Sequence, residues 1–461
     1  MYICLCFPDM FGIIFISIFF DRDWLNMQTS TKVTVLAGMG GFLDGYDFIV
    51  FVAALSLITI SLGTITTADK GLLLGMAFLG AFFGSILLGH YTDKVGRKRI
   101  FVITLALFAL AALFMGFAIN YVWLFIGRFI IGFSLGADYA VSWTMVSEFS
   151  PKRVRAGLIS YLQLIYSIGA LISYLVVVAL LSTGDLDWRI AIWIGIIPAL
   201  VTLFLRRNIP ESPRWLATQG KITQAKDIIN SSHTEISVNS LEILEQDNKK
   251  SFGLLFSHKY RRRISGTIVI QMLAFFLFIP VTIYTPTVLA LLGFSKSLEY
   301  ILLGSTIEWI FIIFGFLVGV FLIDKMKRKI AASLSFIIIG IMLIVLMTLR
   351  PTGLAILLPW GIMAFFLSFG SAVIWTWSSE LFPTAARGLA QGLNTAANRI
   401  IGFGGSTVDA VLLAGGISTF YIILLTVCIV LILAIIFWIN VETRGVSLEQ
   451  ISEGVPTGGM K

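Results

Sequence analysis

Ser147-Glu148-Phe149-Ser150-Pro151-Lys152-Arg153-Val154-Arg155-Ala156 returns 232 residues later as Ser379-Glu380-Leu381-Phe382-Pro383-Thr384-Ala385-Ala386-Arg387-Gly388. A second polar run, Asp93-Lys94-Val95-Gly96-Arg97-Lys98, returns after 231 residues as Asp324-Lys325-Met326-Lys327-Arg328-Lys329. Two loops repeated in the same order at nearly one offset describe an internal duplication, and each repeated loop follows a long apolar block.

Those blocks dominate the chain. Of its 461 residues 58% are hydrophobic and 13% charged, whereas a soluble domain is roughly a quarter charged. The apolar sequence falls into runs of about 20 residues, the length that crosses ~30 Å of hydrocarbon as a helix. A helix satisfies its own backbone hydrogen bonds, which lipid requires. Hydropathy and its polar interruptions place about twelve spans, near 32–60, 71–91, 100–119, 122–146, 157–181, 190–205, 264–289, 300–323, 331–349, 354–380, 388–414 and 417–440. The longest polar stretch, Arg206 to Arg263, divides them six and six.

The expected fold class is therefore all-α integral membrane, with twelve transmembrane helices as two six-helix pseudo-repeats. One bundle is expected over 32–205, a cytoplasmic central loop over 206–263, a second bundle over 264–440 and a cytoplasmic tail over 441–461. Paired six-helix halves are the architecture in which transporters rock around a site near the midplane.

Cytoplasmic loops accumulate Lys and Arg. With both termini inside, all but six of the 33 basic residues fall in cytoplasmic segments; Lys70, Arg189, Lys296 and Arg350 lie outside, and Arg128 and Arg399 lie within spans. The net charge of +8 is spread over many short loops, so it reads as a topology signal and not as a nucleic-acid surface. A plasma-membrane protein is expected, acting as a monomer, with the lipid bilayer, a small-molecule substrate and protons as its partners.

Cys4, Cys6 and Cys428 offer neither a disulfide framework nor a metal spacing, and His90, His233 and His258 are scattered. No G-x-x-x-x-G-K-[ST] run occurs. No metal, cofactor or enzymatic activity is expected. Residues 1–31 form an N-terminal extension whose apolar stretch Met10–Phe20 is too short to span; it is an interfacial or signal-like segment, or translation starts at Met27.

Gly89-His90-Tyr91-Thr92-Asp93-Lys94-Val95-Gly96-Arg97-Lys98 resembles the loop between helices 2 and 3 of the major facilitator superfamily, and its second copy departs by carrying Lys327 in place of the glycine. Pro210-Glu211-Ser212-Pro213-Arg214-Trp215-Leu216 is similar to a signature shared by sugar porters and their organic-ion, metabolite:proton symporter-like relatives. The resemblance covers roughly residues 32 to 450 and implies a secondary transporter. Physically, the repeated loops can act as a conformational latch: Asp93, Glu148, Asp324 and Glu380 lie at helix ends near Arg97, Arg155, Arg328 and Arg387, in ion pairs that hold in one state and part in another.

An ionisable residue within a span is costly and suggests function. This chain has Asp44, Asp47, Arg128, Asp138, Glu308, Arg399 and Asp409. Asp44 and Asp47 are three apart, hence on one helix face. A neighbouring carboxylate and a neighbouring guanidinium act on such a group in opposite senses, so its proton affinity can follow the conformational cycle. Arg128 is the expected partner; the resemblance matches Asp47 and Arg128 to the coupling Asp of helix 1 and Arg of helix 4 in proton-driven sugar porters. The alternative is a static buried ion pair. Asp138 and Tyr139 resemble a helix 4 sequence of phosphate:proton symporters, and Asp44-Gly45-Tyr46-Asp47 is also similar to aromatic-acid:proton symporters. Glu308 and Asp409 either line an aqueous cavity or pair with a neighbour.

The same resemblance implies substrate contacts at Gln163 on helix 5, Trp375 on helix 10 and Asn398 on helix 11. The helix 7 Gln pair of sugar porters falls on Leu273 and Ala274 when Tyr284-Thr285-Pro286 is aligned, which removes hydrogen bonds to a hexose. Where sugar porters place a Trp, this chain has Arg399, and organic-anion relatives carry an Arg in this region. A guanidinium can hold a carboxylate or phosphate through two parallel hydrogen bonds; otherwise it pairs with Asp409 or Glu308. Phe275, Phe276, Tyr284, Trp309 and Trp377 are expected to pack or face lipid. The function expected is proton-coupled symport of a small organic anion, with a sugar or polyol porter as the alternative and a non-transporting sensor as a third class.

Overall fold

The computed structural model describes residues 29–149, 155–181, 184–232, 251–382, 384–417 and 419–443. The expectations for the extension up to residue 28, for residues 233–250 and for the tail from 444, as well as those for the side chains of Asp93, Arg155 and Asp324, lie outside the described residues.

The chain forms α1 (Thr29–Leu62), α2 (Thr67–Val95), α3 (Arg97–Gly116), α4 (Tyr121–Phe149), α5 (Arg155–Leu180) and α6 (Asp187–Arg206, broken at Gly195). After the connection come α7 (Arg261–Thr282), α8 (Leu298–Leu322), α9 (Arg328–Leu349), α10 (Leu357–Glu380), α11 (Thr384–Ala414) and α12 (Thr419–Ile439). Among the described residues eleven helices are long and apolar enough to cross a membrane. The twelfth, α11, has 31 residues but interrupts its apolar sequence with Arg387, Gln391, Asn394, Asn398, Arg399 and Asp409. It packs against α2 and α7, where polar side chains meet protein in place of lipid. Two short helices, Pro213–Thr218 and Ile222–Ser232, pack on each other in the connection.

Helices in lipid gain little from apolar burial and associate through close contact, so small residues mark their crossings. A methyl group at Gly132 or Gly136 of α4 would run into Ala77 and Ala81 of α2, and one at Gly45 of α1 into the Tyr166 carbonyl of α5. The halves meet along two seams, α2 with α11 and α5 with α8. Away from the repeated loops the first seam is tight, with Gly71 against Thr407 and Ala410 and Gly75 against Phe403. In the second, Tyr166 and Trp309 approach with ring centroids 6.3 Å apart. Toward the repeated loops Trp143 of α4 meets Trp375 of α10 at 5.8 Å.

The glycine missing from the second loop has a structural explanation. Gly96 turns α2 into α3 at φ +108°, a conformation that disfavours a side chain. Lys327 sits at φ −64° after a short 3₁₀ turn, Ile323–Lys325, so its turn needs no glycine.

One boundary changes. Arg206, assigned from sequence to the cytoplasmic loop, is the last residue of α6 and is wholly buried. Its guanidinium pairs with Asp138 of α4, 68 positions earlier, and donates to the Leu36 and Phe101 carbonyls.

Candidate functional site

Between the halves lies a cavity of ≈ 1170 Å³ out to its mouth. Its amino-terminal wall includes Asp44, Phe48, Arg128, Tyr139, Gln163 and Tyr166; the facing wall includes Gln271, Phe275, Trp309, Trp375, Asn398 and Arg399. Arg128 donates to the Asp47 carboxylate at 3.2 Å and to the Asp47 carbonyl at 3.3 Å. Both side chains are almost fully buried, and the guanidinium lies 4.6 Å from the Phe51 ring centroid. Asp44 shares the wall, and one of its carboxylate oxygens has no hydrogen-bond partner among the described residues.

Arg399 stands on the opposite wall and reaches across to the Phe48 and Tyr139 rings, at 5.8 and 5.7 Å. Among the described residues it makes no ion pair or hydrogen bond. The pairings considered for it from sequence do not form: Asp409 accepts from the Tyr421 hydroxyl at 2.9 Å, and Glu308 is buried outside the cavity. Beside Arg399, Asn398 donates to Gln271 at 3.2 Å, which leaves the Asn398 oxygen and the Gln271 amide nitrogen unpartnered. Phe48, Phe78, Phe275 and Phe278 form a row of rings from one half to the other, at 4.9, 5.5 and 5.6 Å.

Two sequence expectations are corrected here. Asp138 does not line the cavity; Arg206, Thr104 at 2.9 Å and Ser142 at 3.2 Å surround its carboxylate, while Tyr139 beside it does face the cavity. Phe275 and Trp309 line the cavity, although Phe276, Tyr284 and Trp377 do not.

The repeated loops build two matching clusters at one end of the bundle. In the first, Arg97 donates to Glu148 at 2.7 Å and to the Ser212 hydroxyl at 3.1 Å, and Ser212 donates to Glu148 at 2.5 Å. The Glu211 carboxylate accepts the Arg97 and Lys98 amides at 3.0 Å, where the helix dipole favours an anion. In the second, Arg328 grips Glu380 through two nitrogens at 3.0 and 3.2 Å, and Thr443 also donates to Glu380. Glu442 accepts the Arg328 and Lys329 amides at 2.9 and 3.3 Å. Glu148 and Glu380 pair with Arg97 and Arg328, helices away. Arg387, the near candidate for Glu380 from sequence, donates to the Phe382 carbonyl at 3.5 Å. Local spacing suggested Arg387, but helix packing brings Arg328 to Glu380.

Residues 33–454 match the family described as sugar (and other) transporter. The chain belongs to that family. The transporter is 25% identical over 429 residues to the niacin transporter NiaP of Acinetobacter baylyi, covering 90% of this chain and 95% of the relative. It is 28% identical over 448 residues to the arabinose-proton symporter of Bacillus subtilis, covering 91% and 94%. Its fold resembles the inward open conformation of the xylose transporter XylE from E. coli, with TM-score 0.77 and 21% identity over 92% of this chain and 99% of that one. A crystal structure of a D-xylose-proton symporter gives TM-score 0.71 at 25% identity over 90% and 99%. This is a multi-pass secondary transporter of the major facilitator fold and not an enzyme.

Four residues of this transporter's sites escaped the sequence reading. Gln271 fell two positions before the aligned helix 7 pair, although a lone amide in an apolar span is itself a signal. Glu442 and Thr443 are the 231-residue counterparts of Glu211 and Ser212, a third repeat hidden by its shortness. Arg206 needed its partner, Asp138, to be seen as intramembrane.

Proposed function

We propose that this transporter is a proton-coupled symporter for a small organic anion with a planar, ring-bearing body. The observation that carries the reading is Arg399, an unpaired guanidinium in a cavity walled by aromatic rings. A carboxylate there gains two charge-assisted hydrogen bonds, and the rings accept the body. Gln163, Trp375, Tyr139 and the open amide groups of Asn398 and Gln271 are the further substrate contacts. The name of NiaP supports this chemistry.

Asp47 is the proton carrier, with Asp44 as its neighbour on the cavity wall. When Asp47 takes a proton, Arg128 loses its counter-charge and can lean toward an arriving anion; when the proton leaves, the ion pair re-forms. Neutralising the acid and admitting the anion therefore favour one another. The repeated loops face the cytoplasm, both termini are cytoplasmic, the membrane is the plasma membrane and one chain suffices. The segments 32–205 and 264–440 rock about the cavity. The loop clusters each tie helices of one half, so they set helix tilt within that half and act as latches when an ion pair breaks. Glu380→Gln is expected to abolish transport while ligand binding survives; loss of both would remove the latch role.

A sugar or polyol is the second reading, supported by the amides of Gln163, Gln271 and Asn398 on the cavity wall and by the arabinose- and xylose-transporting relatives. Uptake into proteoliposomes of aromatic and aliphatic carboxylates, phosphate and sugars, with and without an imposed pH gradient, separates the two. Accumulation of a pentose or hexose with no carboxylate uptake would overturn the anion assignment.

A further inference from the structure

Glu308 takes no part in the site described above. It lies on α8, ten residues in from Leu298, about 15 Å along the helix at 1.5 Å per residue, toward the end away from the repeated loops. Its side chain is 1% exposed, it does not line the central cavity, and neither carboxylate oxygen has a well-aligned hydrogen-bond partner among the described residues, although the Thr285 hydroxyl and the Trp360 indole face it. Its next residue, Trp309, lines the cavity and meets Tyr166 of the other half.

The surroundings come from three elements. From α5, across the seam between the halves, Tyr174 is the titratable group that faces it. From the turn after α7 comes Thr285, whose hydroxyl donates to the Val281 carbonyl at 2.5 Å, and from α10 comes Trp360. The Tyr174 hydroxyl, which also faces Ser305, and the Trp360 indole nitrogen are buried without a well-aligned partner among the described residues. Among the described residues no Lys, Arg or His pairs with Glu308. An ionised carboxylate left in such surroundings costs several kcal/mol, and a proton removes that cost.

The seam between α5 and α8 is one of two contacts between the halves. Rocking the halves apart at this end carries Tyr174 away from Glu308 and admits water to the carboxyl. We propose that Glu308 is a second proton-binding site, loaded when this end of the seam is closed and emptied to water when it opens, so that proton release and opening at this end are one event. The proton passes between the Glu308 carboxyl and bulk water, and no other group changes. The inference is independent of the substrate and holds for an anion or a sugar carrier alike.

The test uses the full chain in lipid nanodiscs with no substrate. Spin labels at Thr64→Cys and Lys296→Cys, both exposed at this end and on opposite halves, report its opening after Cys4, Cys6 and Cys428 are replaced by serine. In the otherwise native protein the open-to-closed ratio should rise with pH, by up to about ten-fold per unit for one proton. Glu308→Gln, a neutral mimic of the loaded acid, should stay closed at every pH, while Glu308→Asp keeps the transition. A native-like transition in Glu308→Gln, its loss in Glu308→Asp with the fold intact, or no pH response in the native protein would each overturn the proposal. Should Glu308→Gln fail to fold, infrared absorption of the Asp47→Asn protein decides: a protonated-carboxyl carbonyl band should vanish over the pH range in which this end opens, and its absence refutes the loaded state.

Discussion

In the amino-terminal half Asp47 lies 3.2 Å from Arg128, and Asp138 is held by Arg206. In the carboxy-terminal half Glu308 and Arg399 make no ion pair among the described residues, Arg399 facing Asp44 only across the cavity, and Asp409 is bonded to a phenol. The loop clusters show the reverse: Arg97, Glu148, Glu211 and Ser212 are matched role for role by Arg328, Glu380, Glu442 and Thr443. The duplication has kept its helix-end hardware alike and let the membrane interior diverge. A paired charge is already satisfied and adds rigidity; an unpaired one has its interactions still to make, with a ligand, a proton or water.

The sharpest break of this comparison is energetic. Asp138→Asn strands the buried Arg206 charge and should cost about 3–5 kcal/mol, read as a large fall in unfolding temperature of the purified protein. Asp409→Asn removes one hydrogen bond from Tyr421 and should cost about 1 kcal/mol. Equal losses would mean that pairing does not distinguish the halves.

Next in size is Arg399→Gln, which leaves a carboxylate substrate without its charge partner. Its loss of affinity should be about 2–5 kcal/mol, measured as a rise in the half-saturating concentration of the best transported carboxylate with thermal stability unchanged. Preserved anion transport would place Arg399 outside recognition. Asp47→Asn should abolish accumulation against a gradient yet leave exchange of labelled for unlabelled substrate in place, and accumulation by this variant would leave the Asp47–Arg128 pair a static one. The mirrored clusters give small effects: Ser212→Ala and Thr443→Ala each remove a hydroxyl bond to a carboxylate, and each should cost about 1–3 kcal/mol, the greater loss falling on Ser212, which also accepts from Arg97 and from the Trp215 amide.

Much of the fold was legible before any coordinates. Span lengths, the six-and-six division and the 231- to 232-residue offsets are local or self-similar properties of the chain, and lipid enforces them because an unsatisfied backbone cannot lie in hydrocarbon. The Asp47–Arg128 ion pair was legible too, since charges in apolar spans are rare enough to be noticed singly. Even α11, the most polar span, was placed within a few residues of its observed Thr384–Ala414.

Pairing was the part that sequence left open. Asp138 and Arg206 are 68 positions apart, Gln271 and Asn398 127 apart, and Arg97 and Glu148 51 apart. Nothing in their spacing chooses them over nearer candidates such as Arg155 or Arg387. Hydropathy reports what each helix must do toward lipid, so the sequence by itself determined the spans, their duplication and, Arg206 excepted, which charges are intramembrane. Only tertiary packing decided which of those charges are neutralised and which stay open, because a charge interaction depends on distance through space and the glycine-lined crossings of the helices set those distances.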